Sequence, residues 1–136
     1  MVLFNSSKDW PALIAAAAEL CLKPWKYAVI DKNNSFSEEF DEDVHIDCII
    51  RIECRSIDGE RYPENDIELE IYSSGSDLNL MLSWPNKNEK PILWHGNHSV
   101  WMDPNIGNRC PAPEDAKPFE ALARRLRSIF VLVNDI

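Results

Sequence analysis

Two histidines separated by two residues form the part of this sequence best suited to chemistry. His95 and His98 flank the pair Gly96-Asn97 within the segment Pro91–Asp103. If that pair forms a two-residue hairpin turn, the imidazoles face each other across the strands, with Cβ atoms about 5 Å apart. Two imidazoles on one face of a hairpin are a starting point for a metal site or a polar binding site.

The same segment also permits a second interpretation. As one continuous strand it would place His95 and His98 on opposite faces, because side chains alternate along a strand. We favour the hairpin, because strands are usually about 5–6 residues long. The hairpin would set two further pairs of side chains opposite each other, Leu93 with Val100 and Ile92 with Trp101.

A metal site would require a third ligand, which Asp103 or His45 would have to supply. Two histidines and a carboxylate form a recognised site for iron or zinc. Histidines near a turn are more often hydrogen-bonded surface residues, so we expect neither a metal nor a cofactor. As a binding surface, the segment remains the best candidate in the chain, and its proposed contact residues are His95, His98, Trp101 and Asp103.

Trp101 has two interpretations of equal weight. An exposed aromatic side chain beside polar groups is typical of an interface. Alternatively, Trp101 packs beneath the long loop that follows it, as large apolar side chains commonly do.

Four cysteines are the other residues with reactive side chains. No two have the C-x-x-C spacing of zinc ribbons or thioredoxin-like sites. Cys48 and Cys54 share one face of a predicted strand, and a rise of ~3.3 Å per residue separates them by roughly 20 Å, beyond disulfide reach. We expect reduced thiols buried on core faces, except at Cys110, which lies in a proline-containing loop.

The segment Glu38–Asp43 carries five carboxylates in six residues. Its spacing does not match the calcium-loop pattern and it lacks the glycine of the sharp turn, so we expect a solvated loop. The sequence also lacks a phosphate-binding glycine loop and the motifs G-x-S-x-G and H-E-x-x-H. No catalytic residue is predicted.

The longest regular pattern is the strand predicted over Val44–Ile57. One parity of this stretch is apolar and the other is mostly charged, as in a half-buried antiparallel strand. Further strands are predicted at Trp25–Asp31, Ile67–Tyr72 and Leu78–Trp84. If neighbouring strands pair, Glu68 and Glu70 lie near Arg51, Glu53 and Arg55 on the outer face and form ordinary cross-strand ion pairs.

Two amphipathic helices are predicted at the ends of the chain. Apolar residues recur at helical spacing over Ser6–Leu22 and again from about Pro118 to Val133. We therefore predict one α+β domain spanning residues 1–136. It contains a curved antiparallel meander sheet of five or six strands, with the N-terminal and C-terminal helices packed on one face.

The composition limits the possible partners. The net charge is −9, from 23 acidic and 14 basic residues, which disfavours nucleic acid and anionic membranes. No stretch approaches the ~18 apolar residues of a membrane span, and no basic segment precedes Met1–Phe4 as in a signal peptide. We expect a cytoplasmic protein.

Two functions are consistent with these observations. The first is a non-catalytic, acidic protein-binding module, either immunity-like or adaptor-like, with a basic protein as a possible partner. This general profile is similar to that of the immunity proteins of bacterial competition systems, although no motif identifies such a family. The second is a small-ligand or metal-binding domain, possibly an enzyme, that uses the segment with His95 and His98. A homodimer formed through a sheet edge is a further possibility.

Overall fold

The computed structural model describes residues 2–4, 10–31, 47–74 and 77–132, with two helices and eight strands in these ranges. The helices are α1 (Trp10–Cys21) and α2 (Ala116–Ile129). The strands are β1 (Val2–Phe4), β2 (Lys26–Asp31), β3 (Asp47–Arg55), β4 (Ile67–Ser74), β5 (Asp77–Ser83), β6 (Ile92–His95), β7 (Ser99–Met102) and β8 (Phe130–Leu132).

Strands β2 to β7 form one antiparallel sheet in which each strand pairs with its neighbour in sequence. This order is a meander, and the sheet does not close on itself. The predicted α+β architecture is confirmed, and the sheet reaches the larger of the two expected strand numbers. The histidine His45 and the acidic segment Glu38–Asp43 lie outside the described residues.

Alternating side chains give the sheet one apolar face, which both helices cover. Ile50, Ile52 and Leu69 are fully buried on this face, together with Ile14 of α1 and Phe119 of α2, in a single core cluster. The other face of the sheet has no helix against it in the described part of the chain; we call it the open face. Two layers around one core are what an amphipathic sheet and two amphipathic helices require.

Ion pairs occupy the half of the open face formed by β2, β3 and β4. Arg51 and Glu68 stand directly opposite each other, and Arg51 Nη2 lies 3.4 Å from Glu68 Oε1. Glu53 Oε1 lies 4.0 Å from Arg55 Nη2, and Glu53 Oε2 lies 3.8 Å from Arg61 Nη2. Of the predicted cross-strand ion pairs, Arg51–Glu68 is confirmed.

The C-terminal helix was predicted to continue to Val133, and this was wrong. Helix α2 ends at Ile129, and the next three residues form β8, which pairs antiparallel with β1 in a separate two-stranded sheet. The aromatic and β-branched residues of this stretch favour an extended backbone when a partner strand is present. The partner is at the opposite end of the sequence, so a local pattern does not reveal it.

The segment Pro91–Asp103 is a hairpin, but its register differs by one residue from the predicted one. The turn contains three residues, 96–98, so that His95 pairs with Ser99 and Leu93 pairs with Trp101. A one-residue shift turns every side chain of a strand to the other face. In the observed register, the Trp101 indole is buried in the core and Val100 lies on the open face. Of these two apolar side chains, the larger one is therefore removed from water.

The outer edge of β7 is partly covered by the chain that follows it. Met102 and Arg109 form an antiparallel bridge, in which the Cys110 amide donates to the Trp101 carbonyl at 2.9 Å. Among the described residues, no helix combines the length and apolar composition needed to cross a membrane.

Candidate binding groove on the open face

A groove of about 420 Å³ lies on the open face, beside the turn between β6 and β7. Four strands and the turn contribute its walls, through Tyr72, Asn79, Trp94, Gly96, Asn97, His98 and Val100. The volume is within the range of sites that take small molecules or single anchoring groups, about 300–1,000 Å³. Among the described residues that line it, none is an acid, a lysine or an arginine, in a chain whose net charge is −9.

Strand register brings these residues together. Tyr72 of β4 stands opposite Asn79 of β5, and Trp94 of β6 stands opposite Val100 of β7. Directly opposed residues of antiparallel strands have Cβ atoms about 4.5–5.5 Å apart and project from the same face. The two pairs therefore form the polar and the apolar sides of one groove.

Gly96 allows the turn to approach Asn79 closely. A Cβ atom at position 96 would lie only 3.0 Å from Asn79 Oδ1, closer than ordinary van der Waals contact. Glycine thus permits a contact that any other residue would disturb. Asn79 is only 8% exposed although it belongs to the open face.

An apolar strip continues from the groove across β5, β6 and β7. The strip consists of side chains that project from the open face: Met81, Ile92, Trp94, Val100 and Met102. Trp94 is the most exposed of the five, at 38%. Met81 pairs with Trp94, and Ile92 pairs with Met102, so the members are neighbours across the sheet. We call these five residues the open-face patch.

An arginine of α2 fixes the two strands beneath the groove. Arg127 Nη1 donates to the Leu78 carbonyl at 2.5 Å and lies 3.3 Å from the His95 carbonyl. The next residues along the chain, Asn79 and Gly96, line the groove on the opposite side of the sheet. Arg127 therefore ties the helix layer to the backbone that shapes the groove.

The hairpin register separates the two histidines that were predicted to face each other. His95 is on the core face at 7% exposure, and its Nδ1 has no hydrogen-bond partner in the described part of the chain. Burial, together with the nearby Arg127 and Arg124, lowers the pKa of His95. His98 is exposed in the turn and lines the groove, so it alone of the two reaches the site.

Trp101 and Asp103, the other two predicted contact residues, make contacts within the fold. Trp101 is 5% exposed, its ring lies against Phe119 with centroids 6.1 Å apart, and its Nε1 donates to Glu120 Oε2 at 2.9 Å. Asp103 Oδ1 accepts from the backbone amides of Asn105 and Ile106 at 2.8 and 3.3 Å, which shapes the turn after β7. The structure does not bring His95, His98, Trp101 and Asp103 into one site.

Sequence reasoning missed most of the groove, since its residues come from separate strands. Neither Trp94 nor Asn79 was among the predicted contact residues. One signal was available in β5, where Asn79 interrupts a run of apolar residues at an outward position. The three-residue turn places Trp94 and Val100 together on the open face, but the sequence of the turn does not determine this length.

The described residues contain no arrangement of side chains suited to metal binding or thiol chemistry. In those ranges, no group of three or more histidines, cysteines or carboxylates is placed to hold a metal ion. No disulfide links the four cysteines, and Cys48 and Cys54 are buried. Burial raises the pKa of the Cys54 thiol, which suppresses the reactive thiolate.

The fold and the groove define a small α+β domain with one sheet face that no described helix covers. A family model described as "Domain of unknown function (DUF8659)" matches residues 11–129, most of the chain, and the protein belongs to this family. No curated protein and no solved structure matches the chain.

Proposed function

We propose that this protein is a non-catalytic protein-binding module whose binding surface is the open-face patch together with the adjoining groove. The observation that carries the proposal is the contrast between the two halves of the open face. One half carries ion pairs such as Arg51–Glu68 beside Ile30, which is 43% exposed, whereas the other half presents five neighbouring apolar side chains around Trp94, which is 38% exposed. Contiguous exposed apolar surface with a polar rim is typical of protein interaction sites.

Trp94 is the anchor of this proposed surface. It stands between Met81 and Val100, its partners on the two adjacent strands. Tryptophan is enriched among residues that dominate binding energy, because a large rigid ring loses little conformational entropy on docking. The groove beside Trp94 would take a side chain or a short segment of the partner.

In this proposal, the net charge increases the rate at which the protein meets its partner more than it increases the affinity of the final complex. A charge of −9 attracts a basic partner over long range and raises its association rate at low salt. The described residues that line the groove are polar and apolar side chains without an acid, a lysine or an arginine, which supports an uncharged contact segment. We therefore propose a partner with an overall basic surface and an uncharged contact segment.

We also propose a cytoplasmic location. The absence of disulfides among four cysteines supports a reducing compartment, because secreted domains of this size often use them.

The test compares proteins captured from an extract of the source organism by three forms of the chain. These are the wild type, Trp94→Ala, and the control Ile106→Ala, which removes an apolar side chain that is 68% exposed and outside the patch. We expect at least one protein that the wild type and the control retain and that Trp94→Ala loses by about tenfold or more. Thermal unfolding of all three proteins first verifies that each is folded.

Identical capture by all three forms would contradict the proposal. A small-ligand function is the second candidate, supported by a groove volume of about 420 Å³. It would be favoured if no protein depends on Trp94 while a neutral compound from a fragment library shifts the NMR signals of Asn79, Asn97 and His98.

A further inference from the structure

A second pocket, of about 230 Å³, lies on the helix side of the sheet, at the end away from the groove. The last turn of α1, the first turn of α2 and the chain before β2, before β4 and after β5 form its walls. Aromatic and charged side chains meet in this lining, which we call the lysine pocket: Lys23, Trp25, Tyr27, Trp84, Lys87 and Asp115. Aromatic surface beside ammonium groups suits a ligand that combines a flat ring with a negative charge.

The undescribed stretches join the described chain away from this pocket. Residues 32–46 and 75–76 connect strands at the opposite end of the sheet, after Asp31 and after Ser74. Residues 1 and 5–9 flank β1, and residues 133–136 follow β8; these two strands pair beyond the last turn of α2, whereas the pocket lies at its first turn. The chain that forms the pocket's end of the sheet, residues 20–28, 54–67 and 83–91, is described without a gap.

The two lysines of the pocket carry positive charge that no described carboxylate neutralises. Lys87 Nζ donates to the neutral Asn65 Oδ1 at 2.9 Å, and neither Lys87 nor Lys23 forms an ion pair in the described part of the chain. The carboxylate of the lining, Asp115, is already paired, because its Oδ2 lies 3.1 Å from Lys90 Nζ. The site is therefore locally basic in a chain whose net charge is −9.

The two tryptophans of the pocket are held in place by neighbouring rings. Trp25 packs against Tyr62 with ring centroids 5.0 Å apart, and Trp84 stacks on Phe119 with centroids 4.0 Å apart. Both tryptophans are half-buried and line the pocket. Aromatic surface that is fixed before binding lowers the entropic cost of receiving a planar ligand.

The volume of the pocket and its carboxylate limit the choice of anion. A volume of about 230 Å³ is below the ~300 Å³ at which sites for drug-sized molecules begin, so a compound of one or two rings fits best. Asp115 repels a phosphate monoester, which carries nearly two charges, more strongly than it repels a monoanion. A polyanion would extend beyond the pocket onto an acidic protein, which disfavours it.

We propose that the lysine pocket binds a small aromatic monocarboxylate, with the ring against Trp25 and Trp84 and the carboxylate paired with Lys87 and Lys23. This site is separate from the proposed protein-binding surface, which lies on the other face of the sheet. A ligand in the lysine pocket therefore leaves the open-face patch free for a partner. Charge-assisted hydrogen bonds from the ammonium groups provide the selectivity for an acid over a neutral compound of the same shape.

The probes are three compounds that separate the ring from the charge. Indole-3-acetate has both, indole-3-acetamide has the ring alone, and acetate has the charge alone. NMR titration of the full chain measures each affinity and locates the site. We expect indole-3-acetate to bind about tenfold more tightly than either of the other compounds and to shift the indole N–H signals of Trp25 and Trp84.

Removing the two lysine charges should abolish the preference for the acid. In the double variant Lys23→Gln with Lys87→Gln, the affinity for indole-3-acetate should fall to that for the amide. The amide itself should bind this variant as it binds the wild type, which verifies that the pocket is intact. The control Lys117→Gln removes an exposed lysine of α2 outside the lining and should keep the tenfold preference.

Four results would each overturn this inference. These are no binding of indole-3-acetate at millimolar concentration, equal affinity of the acid and the amide for the wild type, a preference for the acid that persists in the double variant, and signal shifts at Asn79, Asn97 and His98 in place of the lysine pocket. Each of them leaves the proposed protein-binding function standing, because that function is tested by the dependence of capture on Trp94.

Discussion

At the residue scale, Asp66 shows that a buried charge in this protein is structural. Asp66 is 1% exposed; its Oδ1 accepts from the Cys54 amide at 2.7 Å, and both of its oxygens pair with Arg61 at 2.9 Å. Burial alone would raise its pKa, but the hydrogen bonds from Arg61 and Cys54 outweigh that effect and lower it. The carboxylate therefore fixes the connection between β3 and β4, and no catalytic role is needed to explain it.

Replacing Asp66 should destabilise the fold. We expect Asp66→Ala to lower the free energy of unfolding by about 1–3 kcal/mol, because it orphans the buried Cys54 amide. Urea denaturation at neutral pH measures the change, with Glu64→Ala as the matched control, since that carboxylate is exposed on the adjacent turn. An effect of Asp66→Ala as small as that of the control would show that water replaces the carboxylate at no cost.

His95 should make stability depend on pH. Its pKa is lowered in the folded state by burial and by Arg127 and Arg124, so the unfolded chain takes up a proton first as the pH falls. The stability that the folded protein gains by keeping His95 neutral is fully present above the ordinary imidazole pKa. It is lost as the pH falls from there towards the lower pKa of His95 in the folded state. We expect the unfolding free energy to decrease between about pH 7 and pH 5 in the wild type.

The variant His95→Gln should flatten that decrease, whereas His98→Gln, an exposed histidine of the same hairpin, should retain it. Denaturation midpoints of the three proteins across the pH range provide the comparison. If the unfolding free energy of His95→Gln decreases with falling pH as steeply as that of the wild type, other groups cause the pH dependence.

At the element scale, the hairpin of β6 and β7 decides which face each of its side chains occupies. Because the turn has three residues, Trp101 lies on the core face, where Trp84, Phe119 and Glu120 contact it. The same register sends Trp94 and Val100 to the open face. Core packing and the proposed binding surface therefore depend on one choice of register.

Shortening the turn tests this dependence. Deleting Asn97 leaves two residues between the strands, which would reverse the faces of β7 or force a bulge into it. We expect a loss of about 3–5 kcal/mol, comparable with removing a buried tryptophan side chain. Asn97→Gly keeps the length and should change stability little; a deletion no more harmful than this substitution, as measured by thermal unfolding, would contradict the account.

At the scale of the whole molecule, local patterns predicted the architecture well. Alternation identified β3 and its neighbours, helical spacing identified α1 and most of α2, and the paired charges Arg51 and Glu68 meet as expected. These features depend on residues close in sequence or on adjacent strands, where spacing translates directly into geometry.

The missed features all depend on contacts between distant parts of the chain. The hairpin register follows from burying Trp101 against α2, and β8 requires β1, the first strand of the chain. The groove needs Tyr72, Asn79 and Trp94, which meet only after three strands have paired. Either turn length suits the pair Gly96-Asn97, so only long-range packing could select between them.

The central claim is that the open face of β5–β7 contacts a partner, and site-specific photo-cross-linking tests it most directly. A photoreactive amino acid is placed at position 81, within the open-face patch, or at position 57, an exposed apolar site outside it at 72% exposure. In an extract of the source organism, we predict a discrete cross-linked adduct from position 81 that disappears with Trp94→Ala, and none from position 57. An adduct from position 57 alone, or one from position 81 that persists with Trp94→Ala, would contradict the claim.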